Sequence, residues 1–213
     1  MSLWTSSVIS LLLLQIVHAQ PQKANEELKP ATMEEVPTPA LNLPARIVLI
    51  KKDYNITQAY SDAFKILSEQ NTCSSFFGGP RPATVVLNDL VALVNTRTLS
   101  PEISFQMAGR AHMFREPSTG RFYRIFEKVA VNITGSFYQR RLDVMRRYPS
   151  DVGNFAPGTR QARALILLHE LGHLIQGENG AWLIPDDGYD GPQSNANSLR
   201  VRQVCRAQLA ALR

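Results

Sequence analysis

Nothing constrains this chain more than the stretch Gly158 to Gly177, which reads GTRQARALILLHELGHLIQG. Thr159, following Pro157 and Gly158, predicts a helix N-cap, and Gly177 predicts the C-terminal stop. Ala162, Leu165 and Ile166 continue the face that carries His169 and His173, while Ala164, Leu167, Leu168 and Leu171 cover much of the rest. A helix apolar almost all round is a buried helix. The fold must wrap other elements around it, and must do so while enclosing two imidazoles and a carboxylate. An unpaired buried carboxylate is costly, so these groups need partners.

The polar residues form one pattern, His169-Glu170-Leu171-Gly172-His173. Helix positions four apart are offset by about 40° and lie ~6 Å apart along the axis, so both imidazoles can grip one ion from one face. Glu170 lies beside that face, where it can reach a water on the ion. Zinc hydrolases use this spacing for that reason. With four His and ten Glu in 213 residues, random placement gives on the order of 0.003 such matches. The competing explanation is a core helix whose two histidines are satisfied by hydrogen bonds.

The chain ahead of this helix changes character twice. Met1 to Ala19 reads as a secretory signal: Val8 to Val17 is an apolar run around Leu11 to Leu14, and Val17-His18-Ala19 is a small-residue cleavage site. Its first residues lack the usual Lys or Arg. The run is too short to span a bilayer comfortably, so no stable membrane insertion is expected. Gln20 to Pro44 contains five prolines and four glutamates and no aromatic residue. Such a segment cannot bury enough surface to order itself, and reads as a linker or a pro-segment. The expected location is secreted or periplasmic.

Residues 45–213 are then one domain by length. They hold 21 of the 23 basic side chains and 14 of the 18 acidic ones, a net of +7. Arg140-Arg141, Arg146-Arg147 and Arg200, Arg202 and Arg206 form local clusters. A solvated basic face is the default for such clusters, and it can attract acidic envelope polymers. No nucleic-acid-binding module is present, so no nucleic-acid partner is expected.

Arg46 to Lys51 predicts a strand. Thr57 to Gln70 predicts a helix capped by Thr57, and Pro82 to Asn95 a second helix. Short strands are predicted over Ala111 to Arg115, Phe122 to Glu127 and Val129 to Thr134, with a turn at Pro117 to Gly120. A last helix runs from Asn197 to Leu212. The class is α+β, with a small antiparallel or mixed sheet packed against the motif helix. Asn55-Ile56-Thr57 and Asn132-Ile133-Thr134 match the glycan acceptor pattern. The two cysteines, Cys73 and Cys205, predict a disulfide in an exported chain. Closing so long a loop contributes on the order of 4–5 kcal/mol in the chain-entropy model.

Catalytic zinc takes three protein ligands and one water. The motif supplies two of the three. The pattern H-E-x-x-H-x-x-G-x-x-H fails, because Gln176 and Asn179 stand at its glycine and third histidine. No Glu follows Glu178, and Glu178 itself is only five residues beyond His173. Candidates are Asp187, Asp190, Asp186, Glu178 and His112. Asp187 is preferred: Gly188 behind it permits a tight turn that points a carboxylate inward. The others in that loop have turn chemistry as their ordinary role.

Leu167 to Cys205 resembles a group of uncharacterised secreted bacterial HExxH proteins. The elements that carry the resemblance are His169 to His173, Asp187-Gly188, Ser194 with Asn197-Ser198, and Val201 with Cys205. Cys73 to Leu90, with Phe76-Phe77-Gly78 and Val86-Leu87-Asn88, resembles them as well. The resemblance covers about half the chain and implies a zincin-like metallopeptidase fold. An Asp as third ligand is similar to the aspzincins. Their Gly-Thr-x-Asp motif is absent here, with Asp186-x-x-Tyr189 a faint echo.

The expected function is that of a secreted zinc-dependent metallopeptidase acting on a peptide or protein substrate. Zn²⁺ would sit on His169, His173 and Asp187, with Glu170 as catalytic base and Tyr189 as a weak oxyanion donor. The alternative is a non-catalytic secreted binding or envelope module that keeps the helix and a structural metal.

Overall fold

The computed structural model describes residues 53–100, 103–139, 151–188 and 191–212. The signal, the linker, the Arg46 to Lys51 strand, Arg140, Arg141, Arg146 and Arg147, and the site candidates Tyr189 and Asp190 lie outside these residues.

The first helix, α1, spans Tyr54–Ser68. Its N-cap is Asp53, not Thr57: the Asp53 carboxylate accepts from the amides of Asn55 and Ile56, while the Thr57 hydroxyl donates back to the Asp53 carbonyl. Asp53 wins because its other carboxylate oxygen also accepts from the Tyr138 hydroxyl, at 2.6 Å, which ties the cap to a distant segment. A short helix α2, Thr72–Phe76, follows behind the capping box of Asn71 and Ser74. Helix α3 is Pro80–Ala92, with prolines in its first turn where no amide is lost.

The sheet has three strands in the order β1-β3-β2, where β1 is Val94–Arg97, β2 is Phe105–Arg115 and β3 is Phe122–Asn132. β2 and β3 form an antiparallel hairpin from Phe105↔Val131 to Arg115↔Phe122. β1 runs parallel to β3, starting at Val94↔Val129. The expected mixed sheet is present, but three predictions were too short or misplaced. Val94 onward is strand rather than the end of α3. The two predicted segments at 122–127 and 129–134 are one continuous strand. β2 starts at Phe105 rather than Ala111, with an irregularity between Ala108 and Ala111 where Gly109 takes φ +87°. Glu116 closes the hairpin, accepting from the Ser118 and Thr119 hydroxyls and the Thr119 amide. Asn132 does not offer itself to a glycan: it is fully buried, and its amide donates to the carbonyls of Ser100 and Ile103.

The motif helix is α4, Arg160–Leu174, capped by Thr159 as predicted. It ends at Leu174, three residues before Gly177. Leu165, Leu167, Leu168, Leu171 and Leu174 lie in the core together with Leu67 of α1, Leu87 of α3 and Val131 of β3. Arg160 anchors its first turn with a fork of two 2.6 Å bonds to the buried Asp62 of α1. At the C-terminus the predicted single helix is two, α5 over Gly191–Val204 and α6 over Arg206–Ala210. The predicted disulfide is present, joining Cys73 of α2 to Cys205 between α5 and α6. Among the described residues, no helix is long and apolar enough to cross a membrane.

Candidate metal centre

His169 and His173 occupy successive turns of α4 and are 4% and 5% exposed. Their Nε2 atoms stand 3.0 Å apart. Beyond Leu174 the chain does not wander. The Gln176 amide donates to the Phe122 carbonyl, and the Gly177 amide to the Ala181 carbonyl. The chain then doubles back, with the Leu183 amide on the Ile175 carbonyl and the Ile184 amide on the Gly172 carbonyl. This return lays Ile184 against α4 and delivers Asp187 to the histidines. Gly188 takes φ +69°, the left-handed turn that its lack of a Cβ permits.

The Asp187 carboxylate lies 3.0 Å from His169 Nε2 and 3.3 Å from His173 Nε2. One ligand atom from each of the three residues falls within 4.8 Å of the others. A tetrahedral ion with bonds of about 2.0–2.1 Å needs ligand atoms about 3.3 Å apart. The donor set fits: two imidazoles and a carboxylate bring their ligand atoms together, and two imidazole N–H groups could not face each other at this distance. The same residues can hold zinc or another divalent cation that accepts nitrogen and oxygen ligands.

The other candidates among the described residues are engaged elsewhere. Asp186 pairs with Arg124 at 2.7 Å, and Glu178 with Arg121 at 2.6 Å. His112 sits on β2 beside Glu127, at 3.4 Å.

Two residues behind the cluster were not assigned roles from the sequence. Ser198 Oγ lies 2.9 Å from His169 Nδ1. If it accepts the Nδ1 proton, Nε2 keeps its lone pair for a metal. Asn197 donates to Asp187 Oδ1 at 2.7 Å and to the Pro185 carbonyl at 2.8 Å. Both are buried on α5. The signals for them in the sequence are their adjacency and their place among the elements that carry the resemblance. His173 has no such support: its Nδ1 is buried without a hydrogen-bond partner among the described residues.

The electrostatics follow from this crowding. Burial works against ionisation of Asp187, but hydrogen bonds from His169 and His173 overcome it and hold the carboxyl far below its usual range. Burial likewise disfavours a charged His173, yet the Asp187 hydrogen bond and the Glu170 carboxylate raise it above 6.5. Glu170 is half-buried by surface area, but its carboxyl is densely surrounded. That desolvation pushes its pKa up, the two histidines pull it down, and Asp187 adds to the rise.

No family model, curated protein or solved structure matches this chain.

Proposed function

We propose that the chain is an exported zinc-dependent hydrolase of peptide bonds with a zincin-like fold. One observation carries the reading: the carboxylate of Asp187, fourteen residues beyond His173, returns to within 3.3 Å of both motif imidazoles. A helix whose histidines served only the core would not need it. The small mixed sheet beside the motif helix supports the fold assignment, and the disulfide suits an exported chain.

His169, His173 and Asp187 would hold the ion, and Ser198 and Asn197 orient two of these three. Bound zinc would supply Lewis-acid polarisation of water and of the scissile carbonyl. Glu170 accepts a proton from the attacking water on its carboxylate and returns it to the leaving amine. Burial raises its pKa, which favours a group that must take a proton and give it back.

The test is metal analysis of the purified protein together with hydrolysis of a general protein substrate. Glu170→Gln should keep the metal and lose hydrolysis. Unchanged activity in that variant would sink the mechanism. A wild-type chain that holds zinc and cleaves nothing would favour a binding module with a structural metal.

A further inference from the structure

One side chain outside the cluster binds the backbone of one member and the chain neighbour of another. Arg124 of β3 donates from Nε to the carbonyl of His173 at 2.9 Å, and from Nη2 to Asp186 Oδ1 at 2.7 Å. Its guanidinium lies 4.2 Å from the centre of the Trp182 ring, in the returning segment. The side chain is only 14% exposed, while its partner Asp186 is 75% exposed. A cation held under an aromatic ring and forked between two acceptors has little freedom left.

The asymmetry between the two histidines gives this contact its meaning. His169 is oriented through its ring, by Ser198. His173 has no hydrogen bond to Nδ1, so on the side away from the cluster its ring is held only by packing and by its own backbone. That backbone lies in the last turn of α4, where carbonyls lack helical partners and turns fray. Arg124 occupies the carbonyl and adds a positive charge at the negative end of the helix. Through Asp186 it also holds the residue that directly precedes Asp187.

We propose that Arg124 is a positioning residue for the metal centre, setting the distance between His173 and Asp187 by binding the backbone of one and the chain neighbour of the other. This rests on the metal-centre reading above. Arg121 provides the internal control. It makes a similar ion pair with Glu178, at the start of the same returning segment, but its partner is 88% exposed and, among the described residues, it makes no hydrogen bond or ion pair to a ligand residue.

The experiment measures zinc affinity by chelator competition for wild type, Arg124→Gln, Asp186→Asn and Arg121→Gln. Metal-free thermal unfolding and the visible spectrum of the cobalt-substituted proteins are recorded alongside. Loss of an outer-shell partner typically weakens binding by about 10–100-fold. Arg124→Gln should fall in that range, with altered cobalt bands. Asp186→Asn, which leaves the buried core untouched, should fall in the same direction. Arg121→Gln should match wild type. Wild-type affinity and cobalt spectra in both Arg124→Gln and Asp186→Asn would overturn the proposal, as would affinity losses that merely track metal-free stability across all three variants. If wild type binds no zinc at all, it is the metal-centre reading that fails.

Discussion

A methyl group placed on Gly172 would lie 2.9 Å from Cδ1 and 3.0 Å from Cγ1 of Ile184. Gly172 stands between the motif glutamate and the second histidine, and Ile184 is the point where the returning segment meets the helix. The missing side chain therefore does more than loosen a helix. It sets how closely the segment carrying Asp187 can approach the two imidazoles.

Gly172→Ala puts two effects in opposition. Alanine gains about 1 kcal/mol of helix propensity over glycine. Overpacking a filled core costs about 1–3 kcal/mol. Ile184 is fully buried and cannot swing away into solvent, so the second term should win. The expected result is a small loss of stability and a larger loss of zinc affinity, because Ile184 moves Asp187 with it. Chemical denaturation and chelator competition measure the two separately. A variant more stable than wild type with equal zinc affinity would show that the close approach is unimportant.

Asp187→Ala should weaken zinc binding far more than any other carboxylate change in the loop. It removes one of the three proposed ligands and the negative charge that faces both imidazoles. Ser198→Ala should show a milder loss, within the range of about 10–100-fold seen for outer-shell residues. Equal affinity for wild type and Asp187→Ala would move the third ligand elsewhere.

The parts of this structure legible in the sequence are those with local causes. Thr159 caps α4 with its own hydroxyl, and the histidine spacing follows from the helical repeat alone. Asp187 was preferred because Gly188 could turn the chain, and the turn is there. What escaped has distant causes. β1 is four residues long and exists because β3 lies beside it in parallel register. Gly109 breaks the alternation of β2, which hid its first half. Asn197 and Ser198 look like ordinary helix polar residues until α5 is set against α4. Arg124 carries no motif at all, since the His173 carbonyl, Asp186 and Trp182 reach it from two other segments.

The disulfide makes a further test of that assembly. It closes a loop of 132 residues in sequence separation. On the chain-entropy account this contributes about 5 kcal/mol, although removal of native bridges typically costs 2–5 kcal/mol. The bridge also pins the end of α5, the helix that bears Asn197 and Ser198. Replacing both cysteines with serine should lower stability by an amount in that range, and zinc should recover part of the loss by binding only the folded chain. Unfolding curves with and without metal would show this. No stabilisation of the cysteine-free variant by saturating zinc would argue against a folded-state metal site.

The last prediction concerns pH. Zinc binds the neutral imidazole, so protons compete with the metal and affinity falls as pH falls. The competition begins at the pKa of the metal-free histidine. His173 is held above 6.5 because the Asp187 hydrogen bond and the Glu170 and Asp187 charges outweigh its burial. The onset of weakening, followed by chelator competition from about pH 8 to pH 5, should therefore lie above the ordinary value for an exposed imidazole. Asp187→Asn sharpens the test. It removes a favourable charge beside His173 but leaves the burial that disfavours imidazolium. Its affinity should be weaker throughout, yet its onset should move to lower pH. The two effects have opposite directions along the pH axis, so general damage to the site cannot mimic them. An onset unchanged by Asp187→Asn would mean that Asp187 does not control the protonation of His173. Affinity constant over the whole range would mean that the imidazoles do not bind the metal.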